Sequence, residues 1–385
     1  MSQTSTKRHV KIVCTLGPAS NSTRVIDGLI RGGMNVARLN LSYGTLEEHS
    51  RLISEVRLIS QKLKLHTSVL LDLPGLKRYT GGINSVFKPH LEFGLSQKVD
   101  FFALSFISSV KQVEEVKNML KQMNADIPVI VKIEQAKALE KSGALLEVGE
   151  GIMVARGDLA LEISIEKVPL AQKHLIKEAN RIGKPVITAT QMLESMVRST
   201  TPTRAEATDI ANAVLDGSDA LMLSEETAIG SYPVEALETM VRIASEAETI
   251  FSYERTLHER WDDIFPEIND ATARAACHMA YQVRARAIIT FTTGGTTALR
   301  VSKYRPRQPI IAVTPSETIA RRLSLVWGVF TVIRPALRDL DEVFSLAREV
   351  ALETGIARKG DLIISTAGIP LSVPGSTNLV RVQSV

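Results

Sequence analysis

Lys132 and Glu134 flank Ile133 at the end of a short apolar run. An extended backbone with a side-chain period of two sets that ammonium and that carboxylate on one face. Other apolar runs end in the same manner. Arg38, Asn40 and Ser42 alternate after Val36, and Ile152–Ala155 leads into Arg156-Gly157-Asp158. Further runs end at Asp72, at Thr188 and Thr190, and at Ser224, Glu225 and Glu226. Carboxylates such as Glu134 and Asp158 suit a hard, octahedral Mg²⁺ that keeps waters for substrate oxygens. Arg38 and Lys132 suit an anionic phosphate, the arginine by its fork and the lysine as a point charge. A metal and cations around a phosphate imply electrostatic catalysis of phosphoryl transfer, or stabilisation of an enolate. One such pair alone reads as a structural salt bridge or a solvated strand end; recurrence at successive strand ends favours a site. No Ser-His-Asp, Cys-His or cysteine–zinc arrangement is evident, which sets aside the main hydrolase classes.

The elements that must position these residues alternate between residues 10 and 250. Apolar runs of strand length occur at Val10–Leu16, Val36–Leu41, Val69–Leu73, Phe101–Phe106, Ile127–Ile133, Ile152–Ala155, Pro185–Ala189 and Ala220–Leu223. Uninterrupted runs of this kind are expected for parallel strands covered on both faces. Between them lie helical patterns. Leu52, Val56, Ile59 and Leu63 share one helix face, and Ala171, Leu175, Ala179 and Ile182 another, the latter stopping at Gly183 before Pro185. Eight strands in this length predict a (β/α)₈ barrel, whose active site gathers at the C-terminal strand ends. A doubly wound open sheet is the alternative. The connection Pro74–Asp100 is irregular, with a short helix predicted only over Pro89–Leu95 and a tight turn or hinge at Gly81-Gly82.

Residues 1–250 are thus predicted as the barrel, 251–268 as a linker around Trp261 and Pro266, and 269–385 as a second, α/β domain with a mostly parallel sheet. That domain carries strands at Ala287–Phe291, Pro309–Val313, Val329–Ile333, Leu362–Thr366 and Leu379–Val382. The apolar content is 44%, ordinary for a chain with sizeable cores. A net charge of +4 is too balanced to suggest nucleic acid as a partner. No apolar run reaches membrane-spanning length, and residues 1–11 lack a signal-peptide core. Two cysteines, Cys14 and Cys277, make no disulfide framework, so a cytoplasmic location is expected.

At the residues just described the chain resembles the pyruvate kinase family. The resemblance runs through Lys11-Ile-Val-Cys-Thr-Leu-Gly-Pro-Ala-Ser20, Gly33-Met-Asn-Val-Ala-Arg-Leu-Asn-Leu-Ser-Tyr-Gly44, Lys132-Ile-Glu134 and Gly151-Ile-Met-Val-Ala-Arg-Gly-Asp158. It continues through Pro185–Met196, Pro202–Glu206, Ala211–Gly217, Val301–Pro306 and Ala312–Pro315, spanning about residues 8–385. The resemblance implies that Glu134 and Asp158 hold Mg²⁺ or Mn²⁺ against phosphoenolpyruvate. It implies that Lys132 stabilises the transferring phosphoryl group and the enolate oxygen, and that Arg38 contacts the phosphate. The backbone N–H groups of Gly157 and Asp158 would receive the substrate carboxylate, with Thr190 beside the carboxylate and the protonated enolate face. Asn40, Ser42, Asp72 and Leu73 match a monovalent-cation site. Thr292-Thr293-Gly294-Gly295-Thr296-Thr297 resembles an effector phosphate loop that opens a helix. Phosphoenolpyruvate or pyruvate, ADP or ATP, a phosphorylated effector and a homotetramer are the implied partners, with no nucleic acid and no membrane.

The chain departs from the family pattern in places. Leu76 replaces a proline, Arg78 sits one place early, and Tyr79 occupies an arginine's slot. Tyr43 replaces a nucleotide-side histidine, and Glu225 a glycine. Lys77 stands where potassium-requiring members have glutamate, which predicts that K⁺ is not required. The family's lid domain is missing at Gly81-Gly82. Three functions follow in order: a phosphoenolpyruvate–ADP phosphotransferase slowed by loss of the lid, a Mg²⁺-dependent lyase or tautomerase of 2-oxo acids, and a non-catalytic effector-binding paralogue.

Overall fold

The computed structural model describes residues 8–75, 83–259, 266–337, 339–371 and 375–385, apart from the side chain of Asn84. Eight parallel strands close a barrel in sequence order: β1 (Lys11–Thr15), β2 (Val36–Asn40), β3 (Ser68–Leu73), β4 (Phe101–Leu104), β5 (Val129–Ile133), β6 (Gly151–Ala155), β7 (Val186–Ala189) and β8 (Ala220–Leu223). Closure comes from β1, which pairs Val13 with Val36 of β2 and with Met222 of β8. All eight predicted runs are strands, because each is buried on both faces by barrel interior and helices. The open-sheet alternative is excluded by the closed order.

The helices follow their apolar stripes. Leu46–Leu63 starts at Thr45, whose hydroxyl accepts from the Glu48 amide while the Glu48 carboxylate accepts from the Thr45 amide, and it buries Leu52, Val56 and Ile59. Val168–Ile182 ends where Gly183 takes φ +75° and returns its N–H to the Asn180 carbonyl, a turn that glycine makes without strain. Helix Ile83–Ser96 corrects the shorter helix predicted over Pro89–Leu95. Proline forgoes one N–H donor, whereas burial of Val86, Phe87 and Leu91 holds the turns on either side.

Val10–Ala247 forms one compact unit. Glu248–Val385, with Arg8 and His9, forms a second. The assignment of His9 to the barrel is therefore corrected. Its amide donates to both Glu248 carboxylate oxygens at 2.9 Å, its ring stacks 4.5 Å from Trp327, and its carbonyl accepts from the Gly328 amide. The stretch expected as a linker contains a helix, Tyr253–Glu259. The second unit holds a five-stranded sheet of β9 (Ile288–Phe291), β10 (Ile310–Thr314), β11 (Val329–Ile333), β12 (Leu362–Gly368) and β13 (Thr377–Ser384). Its order is β11-β10-β9-β12-β13, parallel except for the antiparallel β12–β13 pair. Ile288, Ile310 and Ile364 enter one apolar layer and Ile289, Ile311 and Ile363 the opposite one, so the strand period of two fills both faces. No helix among the described residues is long and apolar enough to cross a membrane.

Candidate active site

The C-terminal barrel rim draws Arg38, Asp72, Lys132 and Glu134 into one buried ion network. Strand register explains the meeting: Arg38 pairs across to Leu70 of β3, Asp72 to Ala103 of β4, and Lys132 to Met153 of β6. Arg38 donates from Nε (2.9 Å) and Nη2 (2.7 Å) to Asp72 Oδ2, and from Nη1 to the Thr15 hydroxyl (2.8 Å). Asp72 Oδ1 accepts from Ser105 Oγ at 2.8 Å. The Lys132 ammonium donates to Ser105 Oγ (2.9 Å) and lies 3.1 Å from Asp72 Oδ2 and 2.7 Å from Glu134 Oε1.

Two cations and two carboxylates leave this interior nearly neutral, yet the carboxylates differ. For Asp72, burial opposes the charge, but Lys132 and Arg38 together outweigh it and hold the pKa below the usual range. For Glu134, burial outweighs the attraction of Lys132, and the pKa is pushed up. Burial also opposes the Lys132 charge, which Asp72 and Glu134 more than restore, so its pKa is raised and it remains an ammonium. Glu134 is anchored through Oε2, which accepts the Phe106 amide at 2.7 Å. Phe106 takes φ +57°, an unusual backbone for a bulky residue. Its ring lies where a Cβ on Gly75 would fall (2.1 Å), so only glycine fits at position 75.

Glu134 Oε1 is buried and accepts no aligned hydrogen bond, although the ammonium lies close to it. That orphaned oxygen is a fit for a divalent cation. Asp158 offers a second carboxylate from the first turn of helix Arg156–Glu162, which leaves β6 beside β5. No cluster of three or more metal-ligating side chains occurs among the described residues. Two carboxylates with waters and substrate oxygens are nonetheless what Mg²⁺ ordinarily takes.

Thr190 and Gly157 meet across the exits of β7 and β6. The Gly157 amide donates to Thr190 Oγ1 at 2.8 Å, and that hydroxyl donates to the Ala189 carbonyl at 2.6 Å. The Gly157 N–H is therefore engaged within the chain. Thr190 and Gln191 are both left-handed, with φ of +68° and +53°. The Arg156 guanidinium binds this turn. Glu226 ties the segment beyond it to β8, accepting the Leu193 and Ser224 amides at 3.0 and 2.6 Å.

Asn40 and Ser42 form a local turn in which Asn40 Oδ1 accepts the Ser42 amide, whereas Leu73 is buried in β3. Tyr43 is 66% exposed. Lys77, Arg78, Tyr79 and the Gly81-Gly82 junction lie outside the described residues. In the second unit, Thr292, Thr293, Thr296 and Thr297 line a groove shared with Arg334 and Ser376. Gly295 caps helix Thr296–Lys303, its amide donating to Thr292 Oγ1 at 2.9 Å.

Sequence reasoning missed Ser105, Thr15, the Phe106 amide and Arg156 as parts of the site. Thr15 ends β1 and Ser105 directly follows β4, so the rule applied to the other strand ends reaches both once those ends are known.

The loop after β7 depends on Glu206, in the first turn of helix Arg204–Leu215. Its carboxylate accepts from the Ser195 amide (2.7 Å) and hydroxyl (2.6 Å), and from the Thr203 amide (2.7 Å) and hydroxyl (2.9 Å). Burial works against its charge, but these bonds outweigh it and the pKa lies below its usual 4.5. A depressed carboxylate contributes stability above the unfolded pKa, and that stability is lost as pH falls through the folded value. Glu206→Gln is expected to lower the midpoint of thermal unfolding at pH 7, with the deficit shrinking below pH 4.5. A deficit independent of pH would contradict the linkage.

A (β/α)₈ barrel with cations and carboxylates gathered at its catalytic rim, followed by an α/β domain, defines the class to which comparison can be made. The family description "Pyruvate kinase, barrel domain" matches residues 7–86 and 81–237, and "Pyruvate kinase, alpha/beta domain" matches 270–383. A pyruvate kinase of Geobacillus stearothermophilus is 37% identical over 473 aligned positions, covering 98% of this chain and 81% of the relative. One of Staphylococcus aureus (strain USA300) is 36% identical over 471, covering 98% and 80%. The chain belongs to the pyruvate kinase family. Its relatives catalyse the chemistry of their name, conversion between phosphoenolpyruvate plus ADP and pyruvate plus ATP, with a divalent metal. The aligned positions outnumber the 385 residues of the chain, and the barrel match breaks at 81–86.

Proposed function

We propose that the barrel rim transfers the phosphoryl group of phosphoenolpyruvate to ADP, slowly for want of a lid, and protonates the resulting enolate to pyruvate. The observation that carries this reading is the buried network of Arg38, Asp72, Lys132 and Glu134, with Glu134 Oε1 left without an aligned donor. In the forward step a β-phosphate oxygen of ADP attacks phosphorus and the bond to the enol oxygen breaks. Lys132 faces the transferring phosphoryl group and the enol oxygen, onto which the electron pair of the breaking P–O bond moves; Arg38 steadies the phosphate, and neither moves, because Asp72 and Ser105 already fix them. The enolate then takes a proton at its methylene carbon on the face beside Thr190. The backbone N–H groups of Gly157 and Asp158 receive the substrate carboxylate at the start of helix Arg156–Glu162, the Gly157 N–H exchanging its bond to Thr190 Oγ1 for the carboxylate as substrate binds. Glu134 and Asp158 are the residues that hold Mg²⁺ or Mn²⁺. Such an ion supplies charge neutralisation at phosphate and enolate oxygens.

Lys77 takes over from a monovalent cation beside Asn40, Ser42, Asp72 and Leu73, so K⁺ is not required. A phosphorylated effector fits the threonine-lined groove of the second unit, where hydroxyls and amide groups converge. A homotetramer is supported by apolar side chains left in solvent on the barrel, among them Leu161, Ile165 and Leu170 at 87%, 70% and 68% exposure. The two buried cysteines, neither in a disulfide, accord with the cytoplasm. The intact enolate half, beside the exposed Tyr43 on the nucleotide side, favours tautomerase chemistry as the second reading.

Pyruvate release from phosphoenolpyruvate, measured with and without ADP and Mg²⁺, tests the assignment. The rate is expected to need both, and to change little when K⁺ replaces an inert monovalent cation at constant ionic strength. Mg²⁺-dependent exchange of pyruvate methyl protons with no ADP-dependent phosphoryl transfer would favour the second reading, and steep activation by K⁺ would exclude the role of Lys77.

A further inference from the structure

Arg156 is buried, with 9% of its side chain exposed, and every nitrogen of its guanidinium is engaged. Nε donates to the Ala189 carbonyl at 3.3 Å, and Nη2 to the carbonyls of Thr190 (2.6 Å) and Gln191 (3.3 Å). Nη1 donates to Asp209 Oδ2 (2.6 Å) and Gln172 Oε1 (3.3 Å). Three successive carbonyls therefore converge on one rigid fork. Two of them belong to Thr190 and Gln191, consecutive non-glycine residues with left-handed backbones. Such conformations persist only where surrounding contacts over-determine them. Asp209 and Gln172 approach from two different helices, Arg204–Leu215 and Val168–Ile182, and fix the plane of the fork.

We infer that Arg156 is a positioning residue for the reaction: with Asp209 it clamps the turn after β7 so that the Thr190 hydroxyl faces the Gly157 amide. This rests on the functional reading above, in which Thr190 and Gly157 attend the substrate carboxylate and the enolate. Arg156 lies next to Gly157 in sequence, so one residue links the backbone of both groups. Without the fork the turn relaxes toward ordinary backbone angles, and the hydroxyl swings off the Gly157 amide. Of the two divalent-ion carboxylates, Glu134 is held by Lys132 and the Phe106 amide, neither of which touches Arg156, and Asp158 is carried by the backbone of helix Arg156–Glu162, whereas the Arg156 guanidinium binds the turn after β7. Loss of the clamp therefore separates turnover from metal binding. A lysine cannot replace it, since an ammonium lacks the planar fork that spans carbonyls and carboxylate together.

The test compares Arg156→Lys and Asp209→Asn with the wild-type chain in four measurements: turnover of phosphoenolpyruvate, Mn²⁺ affinity, cooperative unfolding, and hydrogen exchange of the Gly157 amide. Arg156→Lys is expected to lower kcat about 10²-fold, the scale of a 1 Å misplacement, with a much smaller change in KM and Mn²⁺ affinity within a few-fold of wild type. Asp209→Asn should give a smaller loss, and no further loss on top of Arg156→Lys. The Gly157 amide should lose protection in Arg156→Lys. Wild-type turnover in Arg156→Lys overturns the clamp, as does a loss of Mn²⁺ affinity in step with kcat, which would mark a general support of the rim. If Arg156→Lys does not fold, Asp209→Asn decides by the same readouts. A wild-type chain without turnover fails the functional reading instead. Gly157 protection then decides the clamp, retention in Arg156→Lys overturning it and loss supporting it.

Discussion

Removing either carboxylate, as Glu134→Gln or Asp158→Ala, is expected to weaken Mn²⁺ or Mg²⁺ binding by about 10²-fold or more while the barrel stays folded. Loss of a mere outer partner of a metal ligand typically costs 10- to 100-fold in affinity, so loss of one of two protein ligands costs at least that. Glutamine is preferred at position 134 because it keeps an acceptor for the Phe106 amide, 2.7 Å from the present carboxylate, and so avoids stranding a buried donor. Alanine there would also leave the Lys132 ammonium short of a partner in a buried site, confounding metal loss with destabilisation. Mn²⁺ titration followed by electron paramagnetic resonance reads the affinity without turnover. Unchanged affinity in both variants would remove Glu134 and Asp158 from the metal site.

The second large effect concerns the lid. ADP-dependent turnover is expected to be at least about 10²-fold slower than in family members that carry the lid, whose loss is placed at Gly81-Gly82, with weak nucleotide affinity. Lids exclude water and complete a catalytic constellation, and a misplacement of about 1 Å already costs on the order of 10²-fold. The enolate chemistry escapes this loss. Lys132, Glu134 and Thr190 lie at the exits of β5 and β7 and are fixed by barrel contacts, and Asp158 lies in the first turn of the helix that leaves β6. On the proposed nucleotide side, Tyr43, which by resemblance stands where family members have histidine, is exposed. Turnover at the rate of lid-bearing relatives would mean that another element, such as a neighbouring subunit, closes over the nucleotide.

Much of this was legible in the amino-acid sequence, for a definite reason. Parallel strands covered on both faces must be apolar without interruption, so the eight runs stood out, and polar residues at their ends could only face the rim. Arg38, Asp72, Lys132 and Glu134 were found that way and share one network. Ser105 escaped because it sits inside the run Phe101–Phe106, where it reads as strand interior. Arg156 stood out at the end of the sixth run but had no role assigned, because three of its partners are the backbone carbonyls of Ala189, Thr190 and Gln191, and a carbonyl leaves no residue-type signal. Helix Ile83–Ser96 was cut short on paper by Pro89, since packing of Val86 and Phe87 is invisible to local propensity. His9 was placed with the barrel by adjacency, although its partner Glu248 lies 239 positions away.

The central claim is that the enolate half of the site is complete on the barrel while the nucleotide half is impaired. Exchange of the methyl protons of pyruvate with solvent, measured beside ADP-dependent phosphoryl transfer on one preparation, tests it most directly. The account predicts exchange that needs Mg²⁺ and is abolished in Glu134→Gln, together with phosphoryl transfer slower by about 10²-fold or more than in lid-bearing relatives. Absence of exchange in a folded, Mg²⁺-loaded chain would contradict it.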